Sequence, residues 1–139
     1  MDTKAISLLL LRFSTGIYLS LWGIDKLINA EHAVNLSDRF YGGLLSSSAL
    51  ITVQGVVQVA LGLAVVLGLF RGITYWAQLA WYLIGILPII GYILDPFGAY
   101  LVETGRLTWF PSTTLLFASW VIILFKDYDL LSLDAKRNK

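Results

Sequence analysis

Four long runs of apolar residues, separated by segments that carry most of the charge, dominate the pattern of the chain. The runs cover about residues 5–28, 49–70, 73–93 and 110–125. Each approaches the ~17–25 residues with which an α-helix crosses a ~30 Å hydrocarbon core, and none alternates as barrel strands do. Because backbone amides find no water inside a bilayer, such runs must form helices. The pattern predicts an all-α, polytopic membrane protein.

The connections between these runs predict the topology. Phe70-Arg71-Gly72 leaves so little chain between the second and third runs that their helices must be antiparallel neighbours. Lys and Arg are more frequent on the side that holds both chain ends, so the positive-inside rule predicts cytoplasmic termini. We therefore expect one domain, residues 1–139, folded as a four-transmembrane-helix antiparallel bundle in the cell inner (cytoplasmic) membrane.

Composition agrees with a membrane protein and excludes several functions. The chain is 58% hydrophobic and 14% charged, against about 25% charged in soluble domains, and its mean hydropathy is +0.76. A net charge of +1 gives no concentrated basic face, so we expect no nucleic-acid partner. The sequence has no cysteine and one histidine, His32, so we expect no cofactor held covalently or through metal ligands.

The first run contains an arginine, which is costly to bury in lipid. It also lacks a small-x-small cleavage site, so we expect a retained helix rather than a signal peptide. Arg12, Gly16, Gly23 and Lys26 are four, seven and three residues apart, which places them on one helical face. The glycines, with Ser20 nearby, would let a neighbouring helix approach closely. Arg12 then either points into the bundle or extends along the helix to the headgroups.

Polar residues in the next two runs suggest a binding site. Gln54 and Gln58 lie one turn apart on the second helix, and Gln78 lies at about the depth of Arg12 on the third. These amides either join helices by hydrogen bonds or, with Arg12 and the ring of Trp81, line a slot. A quinone or a lipid headgroup would suit such a slot, because its oxygens accept hydrogen bonds and a ring stacks on aromatic side chains.

Charged residues also recur at the predicted outer end. This outer-face polar cluster consists of Asp25, Lys26, Asp95, Glu103 and Arg106. A pair of Lys26 with Asp95 or Glu103 would tie the last outer loop over the first helix. We expect no catalysis there, because no nucleophile, base or metal cluster supports these side chains.

Two weaker signals concern local structure. Ala33, Leu36, Phe40 and Leu44 recur at helical spacing in the first long connection, which predicts a short amphipathic helix lying on the membrane or packed on the bundle. Pro88 lies well inside the third run and is expected to kink that helix, because proline lacks a backbone N–H.

The combined motif resembles the DoxX-like family of small membrane proteins. It consists of Arg12-x3-Gly16-x6-Gly23-x2-Lys26, with Gln58 ten residues before Gly68 and thirteen before Arg71. The resemblance implies a four-helix inner-membrane bundle, in a group that includes subunits of thiosulfate:quinone oxidoreductase, partners of membrane redox complexes, and trafficking or chaperone-like relatives. The position of Gln58 is often a glutamate in that family, which weakens a proton relay here.

Two functions follow from the residues and the resemblance. The first is an accessory or structural subunit of a larger membrane redox complex, with lipid and other membrane subunits as partners and a quinone- or lipid-binding slot. The alternative is a self-contained quinone-dependent oxidoreductase. Missing electron-carrier ligands and nucleotide-binding motifs favour the first. A transporter is less attractive because paired helix breaks are lacking.

Overall fold

The computed structural model describes residues 2–44 and 46–137, which contain helices and no strand. Seven α-helices follow in order: α1 (Thr3–Ile28), α2 (Ala30–Tyr41), α3 (Ser48–Leu67), α4 (Arg71–Ile86), α5 (Ile90–Leu94), α6 (Ser112–Leu124) and α7 (Leu133–Arg137). Three 3-10 turns lie at Leu87–Ile89, Leu107–Trp109 and Lys126–Tyr128. The all-α prediction is confirmed.

Four helical segments are long and apolar enough to span a membrane, as the sequence predicted. They are Thr3–Ile28, Ser48–Leu67, Arg71–Leu94 and Leu107–Leu124. Large apolar side chains remain exposed on them, including Leu10 at 62% and Ile73 at 74%. A soluble protein would bury such residues, whereas lipid solvates them. The chain therefore has the features of a multi-pass membrane protein.

The helix ends follow local backbone chemistry. The second span ends at Leu67, three residues before the predicted limit, because Gly68 adopts the left-handed conformation with φ 68°. That conformation is a common helix C-cap and suits glycine. At Pro88 the third span changes from α4 through a 3-10 turn to α5. Proline cannot donate the helical hydrogen bond there, which accounts for the interruption that the sequence predicted.

Glycines bring α1 and α3 into backbone contact. A Cβ atom on Gly16 would lie 2.6 Å from the carbonyl oxygen of Gly62, and one on Gly23 would lie 2.7 Å from that of Gly55. Real Cβ atoms do not approach so closely, so these positions require glycine. The predicted small-residue face of α1 is confirmed, and its partner is α3.

The short helix α2 covers the C-terminal end of α1. It packs against α1 and α3, and Ala33 is buried while Leu44, just beyond α2, is 82% exposed. Of the two placements open at the sequence level, packing on the bundle is the one that these contacts describe.

The segment after α6 folds back over the connection between α3 and α4. Asp134 accepts a 2.8 Å hydrogen bond from the backbone N–H of Arg71, the first residue of α4, and its own N–H donates to the Gly68 carbonyl. The Arg71 guanidinium in turn donates to the Lys126 carbonyl at 2.8 Å. A carboxylate at a helix N-terminus is favourable, so these contacts fix the segment across the connection between α3 and α4.

Candidate functional site

Two polar centres flank the long helix α1. The Arg12 cluster comprises Arg12, Tyr75 and Asp129, and lies near the N-terminal end. The second centre is a cavity lined by Lys26, Gln54, Gln58 and Trp81 among others, and we call it the Lys26 cavity. It lies near the C-terminal end of α1, about 21 Å further along the helix axis at 1.5 Å per residue. Each centre contains one cation from the same face of α1, Arg12 or Lys26, but the residues around the two cations differ.

The Arg12 side chain lies inside the protein and makes an ion pair. Arg12 is fully buried, with an exposed fraction of 0%. The guanidinium Nε lies 3.2 Å from Oδ2 of Asp129, and Nη1 donates a 2.9 Å hydrogen bond to the carbonyl of Val66. Of the two orientations considered for Arg12, the side chain takes the interior one. The counter-ion is a carboxylate from the C-terminal segment.

Other groups hold the Asp129 carboxylate in place. The hydroxyl of Tyr75 donates to its Oδ2 at 2.6 Å. The backbone carbonyl of Asp129 accepts from Ser132 Oγ at 2.8 Å and from the Arg71 guanidinium at 3.2 Å. Asp129 and Ser132 are both 0% exposed. A buried carboxylate is stable only with such pairing and hydrogen bonding.

The end of α3 explains why Arg12 fits there. The carbonyls of the last turn of a helix lack intrahelical partners and carry partial negative charge. Arg12 donates to one of them, at Val66. A side chain on Gly68 would collide with the guanidinium, so the same glycine that ends α3 also admits Arg12.

The Lys26 cavity is a partly open space of about 580 Å³. Its aromatic lining residues are Tyr18, Trp22, Phe40, Tyr41, Trp81, Tyr82 and Trp109, and its charged or amide residues are Asp25, Lys26, Gln54 and Gln58. Helix α2 contributes one wall. The edge of the Phe40 ring meets Trp109 at 5.8 Å between ring centroids, which joins α2 to the turn before α6.

Lys26 presents its ammonium group at the wall of this cavity. The Nζ atom donates a 3.0 Å hydrogen bond to Oε1 of the buried Gln58 and lies 5.6 Å from the centroid of the Trp22 ring. None of the ion pairs within residues 2–44 and 46–137 includes Lys26. Its hydrogen bond thus goes to a neutral amide.

The second charged lining residue, Asp25, is already paired. Its Oδ2 lies 2.6 Å from Nδ1 of His32 on α2, and the imidazole stacks on Trp22 with 6.0 Å between ring centroids. This pair links α1 to α2 beside the cavity.

The remaining amide of the predicted slot lies elsewhere. Gln78 is buried and donates through Nε2 to Ser119 Oγ at 2.8 Å, and its Oε1 has no hydrogen-bond partner in the described part of the chain. The structure therefore divides the five predicted slot residues. Arg12 joins Asp129, Gln78 joins Ser119, and Gln54, Gln58 and Trp81 line the Lys26 cavity. Their binding of a ligand stays a prediction.

The predicted outer-face cluster is also divided. Asp95 is buried and accepts hydrogen bonds of 2.7–3.3 Å from the backbone N–H groups of its own loop, at Ala99, Tyr100, Leu101 and Val102. Burial by itself raises the pKa of the Asp95 carboxyl, but these four donors hold that pKa well below its usual range. Asp95 thus shapes the loop.

The two other loop charges do not meet Lys26. Glu103 and Arg106 take part in none of the ion pairs found in the described residues. The pairing of Lys26 with Asp95 or Glu103 that the sequence suggested is therefore wrong for the described structure, where Lys26 donates to Gln58. The described residues also contain no group of three or more side chains suited to a metal ion.

Sequence reasoning missed Asp129, Tyr75 and the partner of His32. Asp129 follows the last span in Phe125-Lys126-Asp127-Tyr128-Asp129, where an acidic residue is unremarkable on the surface. The one available signal was the need of a buried arginine for a counter-ion, which does not say which carboxylate supplies it.

Comparison of the chain with models of protein families, with curated proteins and with solved structures gives no match. The resemblance to DoxX-like proteins therefore stays a prediction from the motif, and the function is argued from the geometry of the site.

Proposed function

We propose that this protein is a DoxX-like accessory subunit of a larger membrane redox complex, and that it holds a membrane-dissolved amphiphile, a quinone or a lipid, in the Lys26 cavity. The observation that carries this proposal is the cavity itself. Its walls are mainly aromatic and aliphatic, and a few polar side chains, among them the Lys26 ammonium, lie on them.

The dimensions and lining of the cavity support a small ligand. Binding pockets for drug-sized molecules typically measure ~300–1,000 Å³ and place a few polar groups among apolar walls, and a cavity of about 580 Å³ falls in this range. Trp22 and Trp81 offer faces for stacking or chain packing. Lys26 and Gln54 supply hydrogen bonds to an oxygen of the ligand.

An accessory role is favoured over the self-contained oxidoreductase. Electron transfer through a protein needs a carrier such as haem, an iron–sulfur cluster or a flavin. The sequence offers no cysteine and one histidine, and that histidine contacts Asp25. A partner subunit would therefore supply the carrier, while this chain supplies a place for the amphiphile. In the proposed antiparallel arrangement with cytoplasmic termini, the cavity lies in the outer half of the inner membrane.

Purification from native membranes tests the accessory role. We expect the protein to copurify in fixed stoichiometry with redox subunits and to release a quinone or lipid on organic extraction. A chain that purifies alone and reduces quinone with an added reductant would replace this proposal by the oxidoreductase alternative.

Two glycines on α4 provide a matched test of the cavity. Gly85 lines it, whereas Gly72 does not, and a Cβ atom on either meets nothing within 4 Å. Gly85→Phe should obstruct the cavity and reduce the amount of copurifying amphiphile, whereas Gly72→Phe should leave that amount unchanged. Equal ligand content in both variants would contradict binding in this cavity.

A further inference from the structure

The charge balance of the Lys26 cavity indicates what kind of head group it takes. Lys26 donates to the neutral oxygen of Gln58 at 3.0 Å, and no described ion pair compensates its charge. The ammonium is half-buried, so water screens it only in part. A half-buried cation that no carboxylate contacts favours a ligand that brings one.

The Arg12 cluster shows how the same fold treats a cation that it encloses. Arg12 forms an ion pair with the Asp129 carboxylate at 3.2 Å, and the Tyr75 hydroxyl donates a 2.6 Å hydrogen bond to that carboxylate. The space around Lys26 contains a cavity where the Arg12 cluster contains Asp129. No carboxylate of the described residues is ion-paired with Lys26, which leaves this contact to a ligand.

Asp25 does not fill this role. It is the other charged residue that lines the cavity, and its charge acts on Lys26 from a distance. Its Oδ2, however, is 2.6 Å from His32 Nδ1, and no ion pair joins it to Lys26. The Asp25–His32 pair leaves the Lys26 ammonium as the cation available to a ligand.

The rest of the lining suits a hydrocarbon chain. Leu19, Ile51, Ile86 and Ile89 contribute aliphatic surface beside the aromatic rings. Such side chains are about as apolar as lipid tails, so a chain that enters from the membrane keeps an apolar environment. The combination of one cation and a long apolar wall is complementary to an amphiphile with one charged end.

We propose that the ligand of the Lys26 cavity is a single-chain amphiphile with an anionic head, of the long-chain carboxylate class, whose carboxylate pairs with Lys26. This inference rests on the proposed function, since it concerns the same cavity. It names the lipid rather than the neutral quinone as the occupant.

Binding by the purified full chain in nonionic detergent micelles tests the proposal. Trp22, Trp81 and Trp109 line the cavity, so a chain-brominated amphiphile should quench their fluorescence on binding. The probes are a brominated long-chain carboxylate, the brominated alcohol of the same length, and a neutral alkyl benzoquinone. We expect the carboxylate to bind roughly tenfold more tightly than the alcohol, as a charge-assisted hydrogen bond implies.

Four variants assign that preference to the Lys26 charge. Lys26→Met should abolish the preference for the carboxylate, and Gln58→Glu should abolish it by giving Lys26 an internal counter-ion. Lys26→Arg should keep it. Arg39→Met, which removes an exposed cation outside the cavity, should also keep it and serves as the matched control. Circular dichroism checks that each variant is folded, and Lys26→Arg and Gln58→Glu still decide the question if Lys26→Met is not.

The possible results separate this inference from the proposed function. A carboxylate preference that depends on Lys26 and Gln58 supports both. Equal binding of carboxylate, alcohol and quinone, unchanged in Lys26→Met, overturns the anionic head group and leaves an amphiphile-binding cavity. Binding of none of the three probes overturns both, as would quenching that is the same in Gly85→Phe as in Gly72→Phe.

Discussion

Arg12 and Lys26 are two cations on one face of α1, and the protein surrounds them differently. Arg12 is fully buried, with an Asp129 carboxylate at 3.2 Å and a helix carbonyl at 2.9 Å. Lys26 is half-buried, with a neutral amide at 3.0 Å and a cavity of about 580 Å³ beside it. The position of a cation in a membrane helix therefore says less about its role than the charge of its nearest partner.

This difference separates a structural role from a binding role. In a buried ion pair each charge compensates the other, and loss of either charge leaves the other without compensation. An ammonium held by a neutral group can instead accept an external anion at no cost to an existing ion pair. We expect changes in the Arg12 cluster to alter stability and changes at Lys26 to alter binding.

The largest effect should follow loss of the Asp129 charge. Asp129→Asn leaves the Arg12 guanidinium buried without a counter-ion, which should lower the free energy of unfolding by about 3–5 kcal/mol. Denaturation of the purified protein by a graded detergent mixture measures this. Asp127→Asn, at an exposed carboxylate two residues earlier, should change stability by no more than about 0.5 kcal/mol. Equal losses in the two variants would contradict a structural role for the ion pair.

A smaller loss should follow removal of the Tyr75 hydroxyl. Tyr75→Phe deletes a hydrogen bond to a charged acceptor, which is worth about 1.5–3 kcal/mol of unfolding free energy. The matched change is Tyr82→Phe, whose buried hydroxyl donates to the neutral carbonyl of Thr15 at 2.6 Å and should contribute about 1 kcal/mol. A larger loss of unfolding free energy in Tyr82→Phe than in Tyr75→Phe would contradict the greater strength assigned to the hydrogen bond with the Asp129 carboxylate.

Converting Gln58 to glutamate should make the Lys26 region resemble the Arg12 cluster. In the ligand-free protein, Gln58→Glu should raise the free energy of unfolding by about 0.5–1 kcal/mol, because Lys26 gains a carboxylate within hydrogen-bond distance. Gln54→Glu, one turn earlier on α3 and on the same cavity, adds a carboxylate without the contact to Lys26 and should not stabilise. Stabilisation by both variants alike would mean that general charge, rather than the pair, is responsible.

The smallest effect on stability should come from Lys26 itself. Lys26→Met removes one hydrogen bond to Gln58 and also one half-buried charge, so the free energy of unfolding should change by no more than about 1 kcal/mol. The same denaturation assay, without added amphiphile, gives the value. A loss as large as that of Asp129→Asn would show that Lys26 is structural and would remove the contrast between the two cations.

The sequence by itself determined the elements and one close-packing face. Hydrophobic run length predicted the four spans, and four-residue and seven-residue spacing predicted the glycine face of α1 that meets α3. Pro88 predicted the interruption of the third span. These features depend on the covalent chain and on the helical repeat, so neighbouring residues suffice to infer them.

The tertiary structure alone decided which polar groups meet. Asp129 reaches Arg12 because the segment after α6 folds back across the connection between α3 and α4, and Gln78 faces Ser119 because of the rotation of α4 relative to α6. Helical periodicity places a side chain on a face but does not say which element covers that face. The partners of Arg12, Lys26 and Gln78 were therefore outside the reach of the sequence pattern, since they depend on packing between distant parts of the chain.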